Sequence, residues 1–191
     1  MHTTAKRVVV LGGCAALAAW LAFVADSAAG SAQDRSALKV PGGLAFAAFK
    51  GYESWQVVSL SHGEKLVAVI VGNPTMINAY QAGVPGNGKP FPDGAKMAKI
   101  HWVPKMSEKA PGPTAVPGTL HDVDFMEKDS KRFADSGGWG YAAFEYDAAS
   151  DTFRPGTLSD HPPQGNDARC GFACHTRVQA RDFVFTEYAK R

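Results

Sequence analysis

Three residues near the C-terminus could do chemistry together: Cys170-Gly-Phe-Ala-Cys174-His175. Two thiols followed at once by an imidazole approach the covalent haem attachment signature, in which the cysteines stand two residues apart. Here they stand one residue further apart. On a helix, residues i and i+4 lie on one face, so both thiols would face one object. His175 would sit about 100° further round. Two such thiols can add to the vinyl groups of haem c while the imidazole ligates iron, and a short distorted helix could absorb the extra residue. A disulfide between Cys170 and Cys174 is the alternative, though a helical pair at this spacing has poor geometry for it. Zinc would need a fourth ligand, and no second Cys/His cluster supplies one.

Other residues carry chemistry less specifically. "FPDGAKMAK" (91–99) reads as a turn entering a strand, with Ala95, Met97, Lys99 and His101 on one face. The opposite face takes Lys96, Ala98, Ile100 and Trp102. The ordinary reading of Lys96 and Lys99 is a pair of solvated strand lysines. Asp122 and Asp124 share a face in "TLHDVDFMEKD", where exposed strand aspartates are the ordinary reading. His101 and His121 could approach a cofactor, yet satisfied surface histidines are the expectation. Trp55, Trp102, Trp139, Tyr141 and Phe144 read as core or cofactor-wall aromatics, and Arg169 as a partner for a haem propionate.

The N-terminus is set apart from the fold. Lys6 and Arg7 precede the apolar run "VVVLGGCAALAAWLAFV" (Val8 to Val24), and small residues follow in "DSAAGSAQ". This is the pattern of a cleaved secretory signal peptide, placed at 1–32, with an uncleaved anchor or a lipoprotein site at Cys14 as alternatives. Lys6, Arg7 and Asp26 leave with it, so the net charge falls from +2 to +1. Cys14 leaves too, and the mature chain then holds only Cys170 and Cys174. Near-balanced charge without a basic aromatic-interleaved run excludes a nucleic-acid surface.

The remaining 33–191 must position these residues in one domain. "WQVVSL" and "KLVAVIVG" predict a hairpin. "NPTMINAYQAG" predicts a short helix, opened by Asn73-Pro74 and stopped by Gly83. "AKMAKIHWV", "TLHDVDFMEKD" and "WGYAAFEYD" predict strands, separated by loops at "VPGNGKPFPDG" and "APGPTAVPG". "GGLAFAAFKGY" and "SKRFADSGG" predict further short helices. A polar loop, 148–167, leads to the cysteine motif, where Asn166 or Asp167 is the expected helix cap. The expected class is α+β, a predominantly antiparallel sheet with a few short helices; all-β is the nearest competitor.

Five segments now converge. "GYESW", "FPDGAKMAK", "DFMEKDSKRFA", "GGWGYAAF" and "CGFACH…RDFVFTEY" resemble, in order and spacing, the cytochrome P-460 family, which is related to the β-sheet cytochromes c′. The resemblance runs from about Gly51 to Tyr188. It implies an exported, periplasmic protein, usually a homodimer, with one haem c attached through Cys170 and Cys174. It implies His175 as the iron ligand, with the opposite haem face open. It also implies a lysine joined covalently to the macrocycle, which is Lys99 here, and a distal carboxylate that relays protons, which is Asp124, with Asp122 as fallback. Family members that oxidise hydroxylamine carry glutamate at that position, so aspartate here is one methylene shorter. The leading expectation is therefore hydroxylamine oxidation, with electrons passing to a small soluble cytochrome. The rival is a protein that binds nitric oxide or carbon monoxide without turnover. A third reading, electron transfer alone, would want a second axial ligand from Met97, Met106 or Met126.

Overall fold

The computed structural model describes His2 and residues 33–159, 161–167 and 171–191. The expected leader, apart from His2, lies outside these residues, as do Arg169 and Cys170.

Six strands form one antiparallel sheet in chain order: β1 (Gln56–His62), β2 (Val67–Gly72), β3 (Lys96–Met106), β4 (Ala115–Lys128), β5 (Trp139–Asp147) and β6 (Thr152–Pro155). Period-2 alternation on β3 and β4 divides the side chains between two covered faces. One face carries Ile70, Met97, Met126, Trp139 and Tyr141. It packs against helix α1 (Pro74–Gln81) and against Phe183 and Val184 of the C-terminal segment. The other carries Val71, Ala98, Ile100, Val123, Phe125 and Phe144, covered by the 3-10 turns Phe46–Phe49 and Tyr52–Ser54. Because both faces are covered, β5 is buried without interruption from Trp139 to Phe144. The second layer is aromatic. Phe49 stacks on Phe125 at 4.1 Å, and Phe46 meets Phe125, Phe144 and Phe153 at 5.0–5.2 Å. Such pairs add about 0.5–1.5 kcal/mol each beyond their burial.

The fold is the expected α+β, mostly sheet, and the hairpin and α1 form where the sequence placed them. Asn73 accepts a hydrogen bond from the Met76 N–H at 2.9 Å, and Pro74 opens the helix. Four details differ. The "AVPG" half of the second Pro-rich loop belongs to β4, and Pro117 pairs with Pro104. β2 pairs with β3 only as far as Trp102, and β5 with β4 only from Asp122. The far ends of β3 and β4 are thus a two-stranded arm, where proline deprives no third strand of a donor.

The expected polar loop contains β6, whose four residues are too few to show alternation. "SKRFADSGG" forms a turn and a single 3-10 turn, Ala134–Ser136, in place of a helix. Asp129 accepts from the N–H groups of Lys131 and Arg132, but Gly137 and Gly138, both at positive φ, stop the segment after the first turn. The cysteine-motif helix is also shorter than expected: α2 covers only Phe172–His175, with Gly171 at its cap. Asp167 instead accepts from the N–H groups of Leu158 and Ser159 at 2.8 Å, pinning the preceding loop.

Gly137 ties this turn to the site. Its φ is +71°, and a Cβ there would lie 2.2 Å from Cε2 of Phe183. Gly137→Ala should therefore lose about 2–5 kcal/mol, from left-handed strain together with overpacking. A urea midpoint equal to wild type would exclude this packing role.

Candidate functional site

One cavity opens on the face of the sheet that carries α1. Its volume is about 440 Å³, within the range of cofactor sites. The sheet contributes Ile70 from β2, Met97 and Lys99 from β3, Asp124 and Met126 from β4 and Tyr141 from β5. These are successive cross-strand partners: Ile70 opposite Lys99, Lys99 opposite Asp124, Met97 opposite Met126, Met126 opposite Tyr141. Directly opposed residues share a face with Cβ atoms roughly 4.5–5.5 Å apart. Cys174 and His175 of α2, with Phe185, Thr186 and Glu187, form the facing wall.

His175 is held firmly. Its Nδ1 donates to the Phe183 carbonyl at 2.6 Å, which makes Nε2 the nitrogen suited to a metal. The ring lies 5.0 Å from Tyr141 and 5.1 Å from Phe185, centroid to centroid. The carbonyl that fixes it sits in an unusual backbone. Asp182 and Phe183 both have positive φ, at 49° and 62°. A buried ion pair maintains that conformation: Lys128 Nζ donates to Asp182 Oδ1 at 2.6 Å and to the Gly137 carbonyl at 3.0 Å. The Phe91 N–H donates to Asp182 Oδ2 at 2.8 Å. Backbone strain of this kind persists only where surrounding contacts over-determine it, and here it aims the histidine.

The sequence singled out neither Lys128 nor Asp182. Their only signal was that aspartate tolerates left-handed φ better than most residues.

Asp124 and its neighbours form a second cluster beside the cavity. His101 Nδ1 is hydrogen-bonded to Asp122 Oδ1 and lies 3.8 Å from Asp124 Oδ2. His121 Nδ1 bonds the other Asp122 oxygen at 2.7 Å. His101 is thus satisfied as expected, but at 7% exposure it is buried, not a surface residue. Lys99 and Asp124 both reach the cavity; Asp122, the fallback, does not line it and is committed to the two imidazoles. Burial pushes the Asp122 carboxyl up, but hydrogen bonds and charge from His101 and then His121 outweigh it and hold the group below its usual value. Lys96 faces the other side as alternation predicted, pairing with Glu127 at 3.1 Å. Of the methionines weighed as a second ligand, Met97 and Met126 line the cavity, whereas Met106 is 59% exposed at the end of the β3–β4 arm.

What would fill this cavity is constrained by its walls. Leu60 and Phe185 line it yet are 75% and 46% exposed, apolar surface that a flat apolar group would cover. The Tyr141 hydroxyl at its edge is buried with no hydrogen-bond partner among the described residues. A macrocycle with a metal at its centre fits apolar walls with one committed histidine. The family model for Cytochrome P460 matches residues 49–186. The chain belongs to the cytochrome P460 family. It is therefore a haem cytochrome, and the cavity residues fit that cofactor. A comparison with curated proteins finds no match.

Proposed function

We propose that this cytochrome is a periplasmic c-type haem protein that oxidises hydroxylamine. The observation that carries the reading is the meeting of Lys99, Asp124, Cys174 and His175 around one cavity, from positions 99 to 175 of the chain. Cys170 and Cys174 would hold haem through thioethers, and His175 Nε2 would hold its iron. When bound, the haem would supply a redox-active iron that takes up electrons one at a time. Lys99, on the sheet wall, would add the covalent bond that the family resemblance implies.

The residues of the chain do the rest. Asp124 accepts protons released from the nitrogen substrate, which is general-base work. Ile70, Met97 and Met126 exclude water around it. The Phe183 carbonyl keeps His175 in one tautomer and orientation throughout turnover. Electrons leave to a small soluble cytochrome, and the unit in solution is a homodimer.

The test is anaerobic turnover by purified holoprotein with hydroxylamine and a one-electron acceptor dye, beside the spectrum of the reduced protein. Hydroxylamine consumption with dye reduction is expected. Nitric oxide binding without any hydroxylamine consumption would overturn the reading in favour of a gas-binding protein, for which the shortened carboxylate at 124 is the motivation.

A further inference from the structure

We propose that His101, Asp122 and His121 form a proton exit that carries protons from Asp124 to solvent. The inference rests on the reading of Asp124 as the proton acceptor. Oxidation of hydroxylamine to nitric oxide, NH2OH giving NO, three protons and three electrons, loads a cavity-facing carboxylate repeatedly. The electrons go to the haem and on to a one-electron acceptor. The protons need a separate route, because the walls around Asp124 are largely apolar.

The route is present on one strand pair. Asp124 lines the cavity; His101, Asp122 and His121 do not. His101 Nδ1 lies 3.8 Å from Asp124 Oδ2 and is hydrogen-bonded to Asp122 Oδ1. Asp122 Oδ2 is bonded to His121 Nδ1 at 2.7 Å. The His121 side chain is 36% exposed, whereas those of His101 and Asp122 are 9% and 8% exposed. The series therefore runs from cavity to surface through two buried members. His101 Nδ1 first passes its proton to Asp122 Oδ1 while Nε2 keeps its own, Asp122 Oδ2 hands one on to His121 Nδ1, and the Nδ1 lone pair vacated on His101 then takes the next proton from Asp124 Oδ2. Each hop breaks one O–H or N–H bond and makes another, and no electrons are exchanged.

Burying a carboxylate with an imidazole gives little stability over an apolar pair. An apolar pair would serve the sheet equally at this position, so the polar pair calls for a use. Asp122 is hydrogen-bonded to both imidazoles at once, one on each oxygen, so it can take a proton from one and give it to the other.

The charges facing the cluster are few. Lys99 precedes His101 on the same face of β3, opposite Asp124 on β4. β5 places Glu145 opposite Asp122, and Glu145 is paired with Arg154 of β6 at 2.6 Å. β2 places only Ala68 opposite His101. The two imidazoles are therefore the groups that engage Asp122 directly, one on each oxygen.

The experiment uses holoprotein of His101→Gln and His121→Gln, the second at a half-exposed position where folding is not at risk. In turnover with hydroxylamine and an acceptor dye, His101→Gln should lower kcat about a hundredfold and His121→Gln roughly tenfold, with KM little changed. Added imidazole buffer should restore part of the His121→Gln rate, and the solvent deuterium effect on kcat should rise in both. Wild-type rates and pH profiles in both variants would overturn the exit. So would a loss that imidazole does not rescue and that comes with a lower melting temperature.

A second readout separates this proposal from the function it rests on. The pH dependence of the haem reduction potential between about pH 5 and 8 needs no turnover. It should flatten in His101→Gln even if hydroxylamine proves not to be a substrate. If hydroxylamine is oxidised but the potential keeps its wild-type pH dependence in both variants, the exit fails and the function stands.

Discussion

Lys99→Arg should give a protein that still carries covalently attached haem but lacks a strongly red-shifted Soret band. The reasoning begins with the strand. Alternation puts Lys99 on the face of Met97 and His101, and the register puts it between Ile70 and Asp124. All of these but His101 line the cavity, so the lysine is held at the cavity wall by hydrogen bonds on both sides of β3. Arginine preserves length and charge, and the strand should tolerate it. Its guanidinium stays protonated and cannot act as the nucleophile that an amine can. The proposed thioether attachment involves Cys174 of α2, another element, and should survive. Loss of the lysine bond would relax the macrocycle and shift iron's potential, since macrocycle distortion is one of the protein's levers on haem. Intact mass and tryptic mapping provide the direct check: cleavage after Lys99 should be absent in wild-type holoprotein. Efficient cleavage there, or a Soret band unchanged by the substitution, would remove Lys99 from the cofactor.

Much of this arrangement was legible in the sequence, and the physical reasons are specific. The strands of the sheet's centre follow a period of two strongly enough to assign faces, which placed Lys99 and Asp124 correctly relative to their neighbours. Asn73-Pro74 announced α1 because capping chemistry is local. What escaped was non-local. β6 has four residues and is defined by its partner. "SKRFADSGG" has helical composition and Asp129 satisfies the N–H groups of its first turn, but Gly137 and Gly138, both at positive φ, end it after that turn. The His101–Asp122–His121 cluster depends on a register between two strands twenty residues apart, so His101 read as a surface residue. Lys128, inside the "KDSKRF" segment that carried the family resemblance, gave no hint that it would be buried against Asp182. Only the closure of the C-terminal segment over Gly137 explains it. That closure is also what fixes the Phe183 carbonyl on His175.

Asp124→Ala should lower hydroxylamine turnover by about 10²–10⁴-fold, the usual contribution of a positioned general base, and chiefly in kcat. The fold should be little affected, because the position is only partly buried at the cavity edge and β4 keeps its ladder to β3 and β5. Asp122 is a poor substitute. Both its oxygens are bonded to imidazoles, and withdrawing one would leave a buried donor unsatisfied at about 1–3 kcal/mol. The complementary variant is Asp124→Glu. It restores the methylene that the hydroxylamine-oxidising relatives have, so it should raise kcat if reach limits proton transfer. It would also reposition the carboxylate relative to His101, whose Nδ1 now stands 3.8 Å from Asp124 Oδ2. A faster Asp124→Glu enzyme means that reach to the substrate is limiting; a slower one means that the hand-over to His101 is. Full activity in Asp124→Ala would place the base elsewhere and leave the cavity as a binding site alone.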